Sequence, residues 1–174
     1  MLIEATKHSY MKIALPLKMV IVLPIVFSIL FIACTKDEEP EMASRNYSFG
    51  FNNGALGDAY VGTHPKTTAM QVTVEELPGN KTKLLVLVTN TLNGKIYNVH
   101  FNTATPGGSA LFEATPKYTI AVTGNGITAA GSTIVSDPYN YIINTWKGYA
   151  IVHDPEQTFS VTNFKTFLVI DHFN

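Results

Sequence analysis

The side chains of this sequence best suited to chemistry are its histidines and its single cysteine, Cys34. Imidazole nitrogens bind metals, but the later histidines show no short spacing that defines a metal site: His64, His100, His153 and His172. A β-fold can still gather distant residues. His64, His100 and His153 are therefore candidate metal ligands, with hydrogen-bonded core or surface histidines as the ordinary alternative. His172, near the last residue, is expected to be exposed.

Catalytic motifs are missing from the sequence. It contains no nucleophile elbow, no phosphate-binding loop, no zinc-protease motif and no pair of glycosidase-like carboxylates. Three aspartates stand beside predicted turns or chain ends, where this residue type is common: Asp137, Asp154 and Asp171. No catalytic residue is predicted, and the chain is not expected to be an enzyme.

Cys34 ends an apolar segment and precedes an acidic one. Residues 19–33 are apolar apart from Ser28, and three lysines come before them, which is the pattern of a signal peptide. The apolar core is shorter than the roughly 20 residues that an α-helix needs to cross a bilayer. We therefore predict a signal peptide over residues 1–33. The alternative is an uncleaved anchor helix with a buried free thiol.

The residues around Cys34 resemble two sorting signals. Phe31-Ile32-Ala33-Cys34 resembles the lipobox of bacterial lipoproteins, and the resemblance implies that Cys34 becomes the amino terminus and carries a covalent lipid. Two or more acyl chains form a stable membrane anchor. Lys36-Asp37-Glu38 resembles an export signal for the outer face of the outer membrane in some Gram-negative bacteria. The resemblance implies a lipid-anchored protein at the cell surface, with a periplasm-facing anchor as the alternative.

Composition divides the mature chain into a tether and one domain. Residues 34–44 are charged and lack apolar periodicity, which favours a flexible tether. Residues 45–174 are long enough for one domain with a substantial core. This domain has eight basic and eight acidic residues, so it lacks the basic excess of nucleic-acid-binding proteins. Without a second cysteine it must be held together by packing rather than by a disulfide.

The domain is predicted to be all-β, an antiparallel Greek-key-type sandwich of seven to nine strands. Apolar and polar residues alternate in several short segments, and Asn93-Gly94 is a strong hairpin-turn signal. The apolar run from Lys83 to Thr89 predicts a strand buried on both faces, or nearly so. No window after Ala33 shows helical periodicity with caps. The other predicted strands are residues 47–51, 67–77, 95–101, 117–122, 132–135, parts of 139–152, and 164–170.

Two further resemblances concern the domain. Residues 94–100 together with Thr103-Ala104-Thr105-Pro106-Gly107-Gly108 resemble the Val-His-Thr-Ala-x-x-Pro-Gly-Gly stretch of CHRD domains, which are β-rich extracellular modules. Residues 150–156 resemble the Val-Val-His strand end of copper/zinc superoxide dismutases, and Asn98-Val99-His100 resembles their His-x-His strand with one histidine replaced. The dismutase resemblance implies that His100 and His153 occupy copper-ligand positions. The zinc loop and the disulfide cysteines of that family are missing, so the resemblance implies the sandwich rather than the activity.

Two functions follow as hypotheses. The first is a non-enzymatic binding or structural domain, lipid-anchored at the cell envelope, whose partner is an unknown protein or glycan. Its candidate ligand surface is the loop from Asp137 to Trp146, which is rich in aromatic residues and asparagine. The alternative is a degenerate dismutase-like metal protein that binds copper or zinc through His100, His153 and His64. Under the first hypothesis the covalent lipid on Cys34 is the only attached group.

Overall fold

The computed structural model describes residues 41–107 and 110–173. The predicted signal peptide, Cys34 and most of the predicted tether lie outside the described residues. Within them the chain forms eight strands in two antiparallel sheets of four, which confirms the predicted all-β sandwich. None of the helices in this part of the chain has the length and apolar character to span a membrane.

Sheet A has the strand order β1-β2-β3-β6, and sheet B has the order β5-β4-β7-β8. The strands of sheet A are β1 (Ser44–Phe49), β2 (Ala69–Leu77), β3 (Lys81–Thr89) and β6 (Thr128–Val135). Those of sheet B are β4 (Ile96–Thr103), β5 (Tyr118–Thr123), β7 (Gly148–His153) and β8 (Phe167–Phe173). The chain leaves sheet A after β3, forms β4 and β5 in sheet B, and returns to place β6 beside β3. This crossed connection is the predicted Greek-key element.

The main core lies between the two sheets. Alternate residues of each strand point inward, because successive side chains of a strand face opposite sides of the sheet. On β4 the inward residues are Tyr97, Val99 and Phe101, all fully buried, while His100 lies between them in sequence and faces outward. The inward side chains of sheet A include Val72, Val74, Leu84, Val86 and Val88.

The burial of strand β3 differs from the prediction. Leu84, Val86 and Val88 are buried as expected, but Leu85 and Leu87 are only half-buried. These two leucines face away from the core and line a shallow groove on the outer face of sheet A. The prediction of burial on both faces was wrong because an apolar run does not reveal whether a second layer covers the sheet.

The secondary structure of the segment after Pro138 also differs from the prediction. Residues predicted as part of a strand form a short helix, α1 (Tyr139–Asn144), without a side-chain cap. Tyr139 and Ile142 are buried against the core, and the Ile142 N–H donates to the Pro138 carbonyl. A helix of this length is too short to show periodicity in sequence, and tertiary packing rather than propensity stabilises it.

Three connecting segments, residues 50–68, 104–107 with 110–117, and 154–166, form what we call the loop layer, which packs on the outer face of β7 and β8. Loop side chains Leu56, Phe112 and Phe164 pack on the outward residues of β7 and β8 and form a second apolar cluster. The cluster also contains Tyr149, Ile151, Phe167 and Ile170. β7 is therefore buried along its whole length, whereas every second residue of the edge strand β5 is exposed on the outer face of sheet B.

Candidate functional site

His100 and His153 are brought together on the outer face of sheet B. They belong to neighbouring strands, since β4 and β7 are paired and His100 lies opposite Ile151. A register shift between Val152 and His153 breaks the regular alternation at the end of β7. The two imidazole rings lie 4.8 Å apart between centroids, at an interplanar angle of 62°. The structure thus joins two of the three predicted ligand residues.

Two phenylalanines enclose this histidine pair. Phe159, from the loop layer, packs on both imidazoles, with ring centroids 5.2 Å from His100 and 4.5 Å from His153. Phe167 of β8 contacts the other side of His153, at 4.8 Å. His100 and His153 are 8% and 5% exposed, whereas Phe159 is 50% exposed. Phe159 is therefore the only one of these three side chains that water reaches freely.

The apolar surroundings keep both imidazoles neutral. Burial, together with the neighbouring His100, lowers the pKa of His153 to about 3. Burial likewise lowers the pKa of His100. The Nδ1 atom of His153 is buried without a hydrogen-bond partner among the described residues. Such an unsatisfied buried nitrogen is unusual, and its lone pair or proton is available to a ligand.

His64 lies apart from the histidine pair. Its Nε2 atom is 2.7 Å from the hydroxyl of Tyr97, an inward residue of β4, and its Nδ1 atom is 3.0 Å from the hydroxyl of Thr68. His100 is on the opposite face of the same strand. Across residues 41–107 and 110–173, no group of three or more His, Cys, Asp or Glu side chains is placed to hold a metal ion.

The hydrogen bonds around His64 define its tautomer. The Leu92 N–H donates to the Tyr97 hydroxyl, which leaves that hydroxyl's proton for Nε2. The Thr68 hydroxyl donates to the Pro65 carbonyl and therefore accepts from Nδ1–H. Both ring nitrogens of His64 thus have hydrogen-bond partners within the protein. This is the ordinary core role that the sequence left open.

The predicted ligand surface between Asp137 and Trp146 has exposed residues, but its aromatic side chains pack in or against the core. Trp146 is 3% exposed, and its indole N–H donates to the Thr103 hydroxyl. Asp137 accepts a hydrogen bond from Tyr118 and forms an ion pair with Lys117 at 3.3 Å. The aromatic faces that would stack on a sugar are therefore in use within the protein. His172 is exposed, as expected, and its ring lies 4.6 Å from that of Tyr149.

A buried carboxylate stands beside the histidine pair, and the sequence did not single it out. Asp154 is 4% exposed and accepts hydrogen bonds from the Tyr60 hydroxyl at 2.5 Å and the Gln157 amide at 3.0 Å. Its second oxygen accepts from the Glu156 N–H. The Tyr60 hydroxyl in turn accepts a hydrogen bond from the backbone N–H of His64. Asp154 thereby joins residues 50–68 of the loop layer to residues 154–166.

Asn52 also connects two segments of the loop layer through hydrogen bonds. Its side-chain NH2 group lies within hydrogen-bonding distance of the carbonyls of Asp58, Phe164 and Phe167, at 3.0–3.2 Å. Its side-chain oxygen accepts from the Gly54 N–H. In sequence the asparagine looked like an ordinary turn residue. Two of its partners, Phe164 and Phe167, are 112 and 115 positions away, so no local pattern could reveal them.

The loop layer contains an apolar groove of about 500 Å³, which we call the loop groove. Its lining comes from all three segments of the layer. The lining side chains are almost all apolar and include Leu56, Leu111, Phe112, Val161 and Phe164, with Thr162 as the one polar member. The volume lies within the range of about 300–1,000 Å³ that is usual for small-molecule sites.

Comparison of the chain with protein families, with curated proteins and with solved structures finds no match. The two features described above therefore carry the functional argument. One is the enclosed histidine pair, and the other is the loop groove held between segments that Asn52 and Asp154 connect.

Proposed function

We propose that this chain is a lipid-anchored protein of the bacterial outer membrane whose β-sandwich is a non-enzymatic binding domain displayed at the cell surface. The loop groove is the observation that carries the binding role. It has the volume and apolar lining of a ligand site, and its walls are joined to one another by hydrogen bonds.

The hydrogen bonds of Asn52 and Asp154 support this role because they fix the groove before a ligand arrives. A site formed in advance avoids most of the entropy cost of ordering loops on binding. Asn52 holds the segment with Leu56 against the segment with Phe164, and both residues line the groove.

The proposed location rests on the sequence before the domain. Cys34 lies in the lipobox-like segment, and β1 begins at Ser44, at the boundary predicted between tether and domain. Ten residues reach at most about 35 Å when fully extended. A lipid on Cys34 would thus keep the sandwich within one domain diameter of the membrane, where a surface ligand is encountered.

The location is tested by labelling cells that express the chain with a palmitate analogue and by treating intact cells with protease. We expect label in the wild-type chain, none in Cys34→Ser, and protease digestion without breaking the outer membrane. A chain that takes up no lipid, or a Cys34→Ser variant that is processed and retained in membranes as before, would contradict the anchor. Protection from protease would place the domain on the periplasmic side.

Metal binding is a second candidate, favoured by the unpartnered Nδ1 of His153 beside His100. Two imidazoles supply only half of the four ligands that zinc usually takes in structural sites, so the site would be incomplete and weak. Copper or zinc analysis of protein purified without a histidine tag tests it. Stoichiometric metal that is lost in His100→Ala but kept in the exposed control His172→Ala would support this function. Absence of bound metal from the wild type, His100→Ala and His172→Ala would rule out the metal-binding function.

A further inference from the structure

We propose that the loop groove binds the alkyl chain of a long-chain fatty acid and that Lys165 pairs with its carboxylate. This inference rests on the proposed binding function and names the class of ligand.

The lining of the loop groove selects for an alkyl chain. Leu111, Phe112 and Val161 present only carbon, and the hydroxyl of Thr162 is the one hydrogen-bonding side-chain group. A glycan placed there would find Thr162 as the only side-chain partner for its hydroxyls. An alkyl chain needs no hydrogen-bond partner and is stabilised by burial against carbon.

The groove has a continuous aromatic wall. Phe112 and Phe164 lie 5.9 Å apart, and Phe164 lies 5.3 Å from Phe167 beneath it. Gly57 allows Phe164 to pack directly against the neighbouring segment, because a Cβ at this glycine would stand 2.8 Å from the Phe164 ring. The wall next to Leu56 is therefore closed by packing rather than by a flexible side chain.

A cation is adjacent in sequence to Phe164 of this wall. Lys165 follows Phe164 directly, and its Nζ lies 3.8 Å from the carboxylate of Asp58, which follows Gly57. Both side chains are more than half exposed, at 54% and 67%, and the distance is at the outer limit for an ion pair. Such a pair contributes little to stability. A ligand carboxylate can therefore replace Asp58 at Lys165 with small loss, while its chain lies along Phe164.

The test uses the mature chain, residues 34–174, with Cys34→Ser, and measures binding of palmitate and of hexadecanol by calorimetry below their aggregation concentrations. We expect saturable binding of one palmitate per chain. Leu111→Glu, at a side chain that is 39% exposed, should weaken binding of both ligands at least tenfold. Lys165→Gln should weaken palmitate binding several-fold and leave hexadecanol binding unchanged. The matched control Ile134→Glu, on sheet A and 62% exposed, should change neither.

Absence of saturable palmitate binding, or binding that Leu111→Glu leaves intact, would overturn the proposal. Binding of both ligands that Lys165→Gln does not alter would overturn the role of the lysine. These outcomes differ from failure of the proposed function. If the chain is lipidated and displayed but does not bind palmitate, the proposal of a fatty-acid ligand is wrong, and a protein or glycan ligand stays a candidate. If the chain is not lipidated or displayed, the envelope function itself is wrong.

Discussion

The hydroxyl of Tyr60 donates a hydrogen bond of 2.5 Å to Asp154, across two segments of the loop layer that are 94 residues apart in sequence. Both side chains are buried, at 5% and 4% exposure. Burial and the Asp154 carboxylate raise the pKa of Tyr60, so the tyrosine keeps its proton and remains the donor. A buried carboxylate is tolerated only when several donors surround it, and Tyr60 is one of three.

Tyr60→Phe is therefore expected to lower the free energy of unfolding by about 1–3 kcal/mol, because Asp154 loses a donor while remaining buried. Urea unfolding of the mature chain measures the change. Tyr141→Phe is the matched control, since Tyr141 is a half-buried tyrosine packed against the core, and it should cost about 0.5 kcal/mol or less. Equal losses in the two variants would show that the hydrogen bond to Asp154 is unimportant.

Asn52→Asp is expected to destabilise the domain by about 3 kcal/mol, although the two side chains have the same shape. The aspartate would direct an oxygen without a proton at the carbonyls of Asp58, Phe164 and Phe167, where the asparagine donates. Asn53→Asp is the control, because Asn53 is exposed and its side-chain oxygen accepts from the Ala55 N–H. Thermal unfolding at pH 7 separates the two, and similar midpoints would contradict the role assigned to Asn52.

The domain should lose stability as the pH falls below the ordinary imidazole pKa of 6.5. Burial lowers the pKa of His153 to about 3 in the folded state. Between these values the unfolded chain takes up a proton that the folded chain does not, which favours unfolding. Above pH 6.5 the His153 ring is neutral in both states, so its contribution to the free energy of unfolding is fully present. As the pH falls below 6.5, this contribution decreases by up to about 1.4 kcal/mol per pH unit.

His153→Phe removes this titration and keeps an aromatic ring in the apolar site. Its free energy of unfolding should therefore fall less than that of the wild type between pH 7.5 and pH 5, by about 2 kcal/mol. His172→Phe replaces an exposed histidine and should follow the wild-type pH profile. Parallel pH profiles for His153→Phe and the wild type would show that His153 is protonated as readily in the folded state as in the unfolded one.

Gly131→Ala should destabilise the sandwich by about 1–3 kcal/mol. A Cβ at this position on β6 would stand 2.7 Å from a methyl group of Val122 on β5. Combining it with Val122→Ala should restore part of the loss, because the two substitutions share one contact. Gly50→Ala is the control, since no atom lies within 4 Å of its Cβ position. Equal effects of the two alanines in denaturant unfolding would contradict the close approach of β5 and β6.

Local patterns in the sequence were enough for the strands but not for the layer above them. Alternation placed β2 and β4 within two residues of their observed bounds. A turn forms at Asn93-Gly94, with a φ of +73° at Gly94, but the predicted hairpin is wrong because β3 lies in sheet A and β4 in sheet B. Burial of Leu85 and Leu87 was not predictable, because it depends on whether another layer covers sheet A. The helix α1 was missed because tertiary contacts of Tyr139 and Ile142 stabilise it.

In the candidate sites, too, the contacts that depend on tertiary structure could not be predicted from local sequence patterns. The closeness of His100 and His153 was anticipated only through the dismutase resemblance, since nothing local links residues on β4 and β7. Asp154 and Asn52 looked like turn residues because short polar residues are common in turns. Their partners come from distant segments, so their burial follows from the tertiary structure alone. The loop groove likewise has no sequence signature, because three separate segments line it.

The contact between β5 and β6 also concerns the free edge of sheet A. β6 is an outermost strand of sheet A with eight residues, no charge and no proline, the kind of strand that can pair with another molecule and seed polymers. The side chains of Val122 and Ile120 on β5 lie against Gly131 at the middle of β6, where a Cβ would meet them. The missing side chain at Gly131 therefore lets the edge strand of one sheet approach the edge strand of the other.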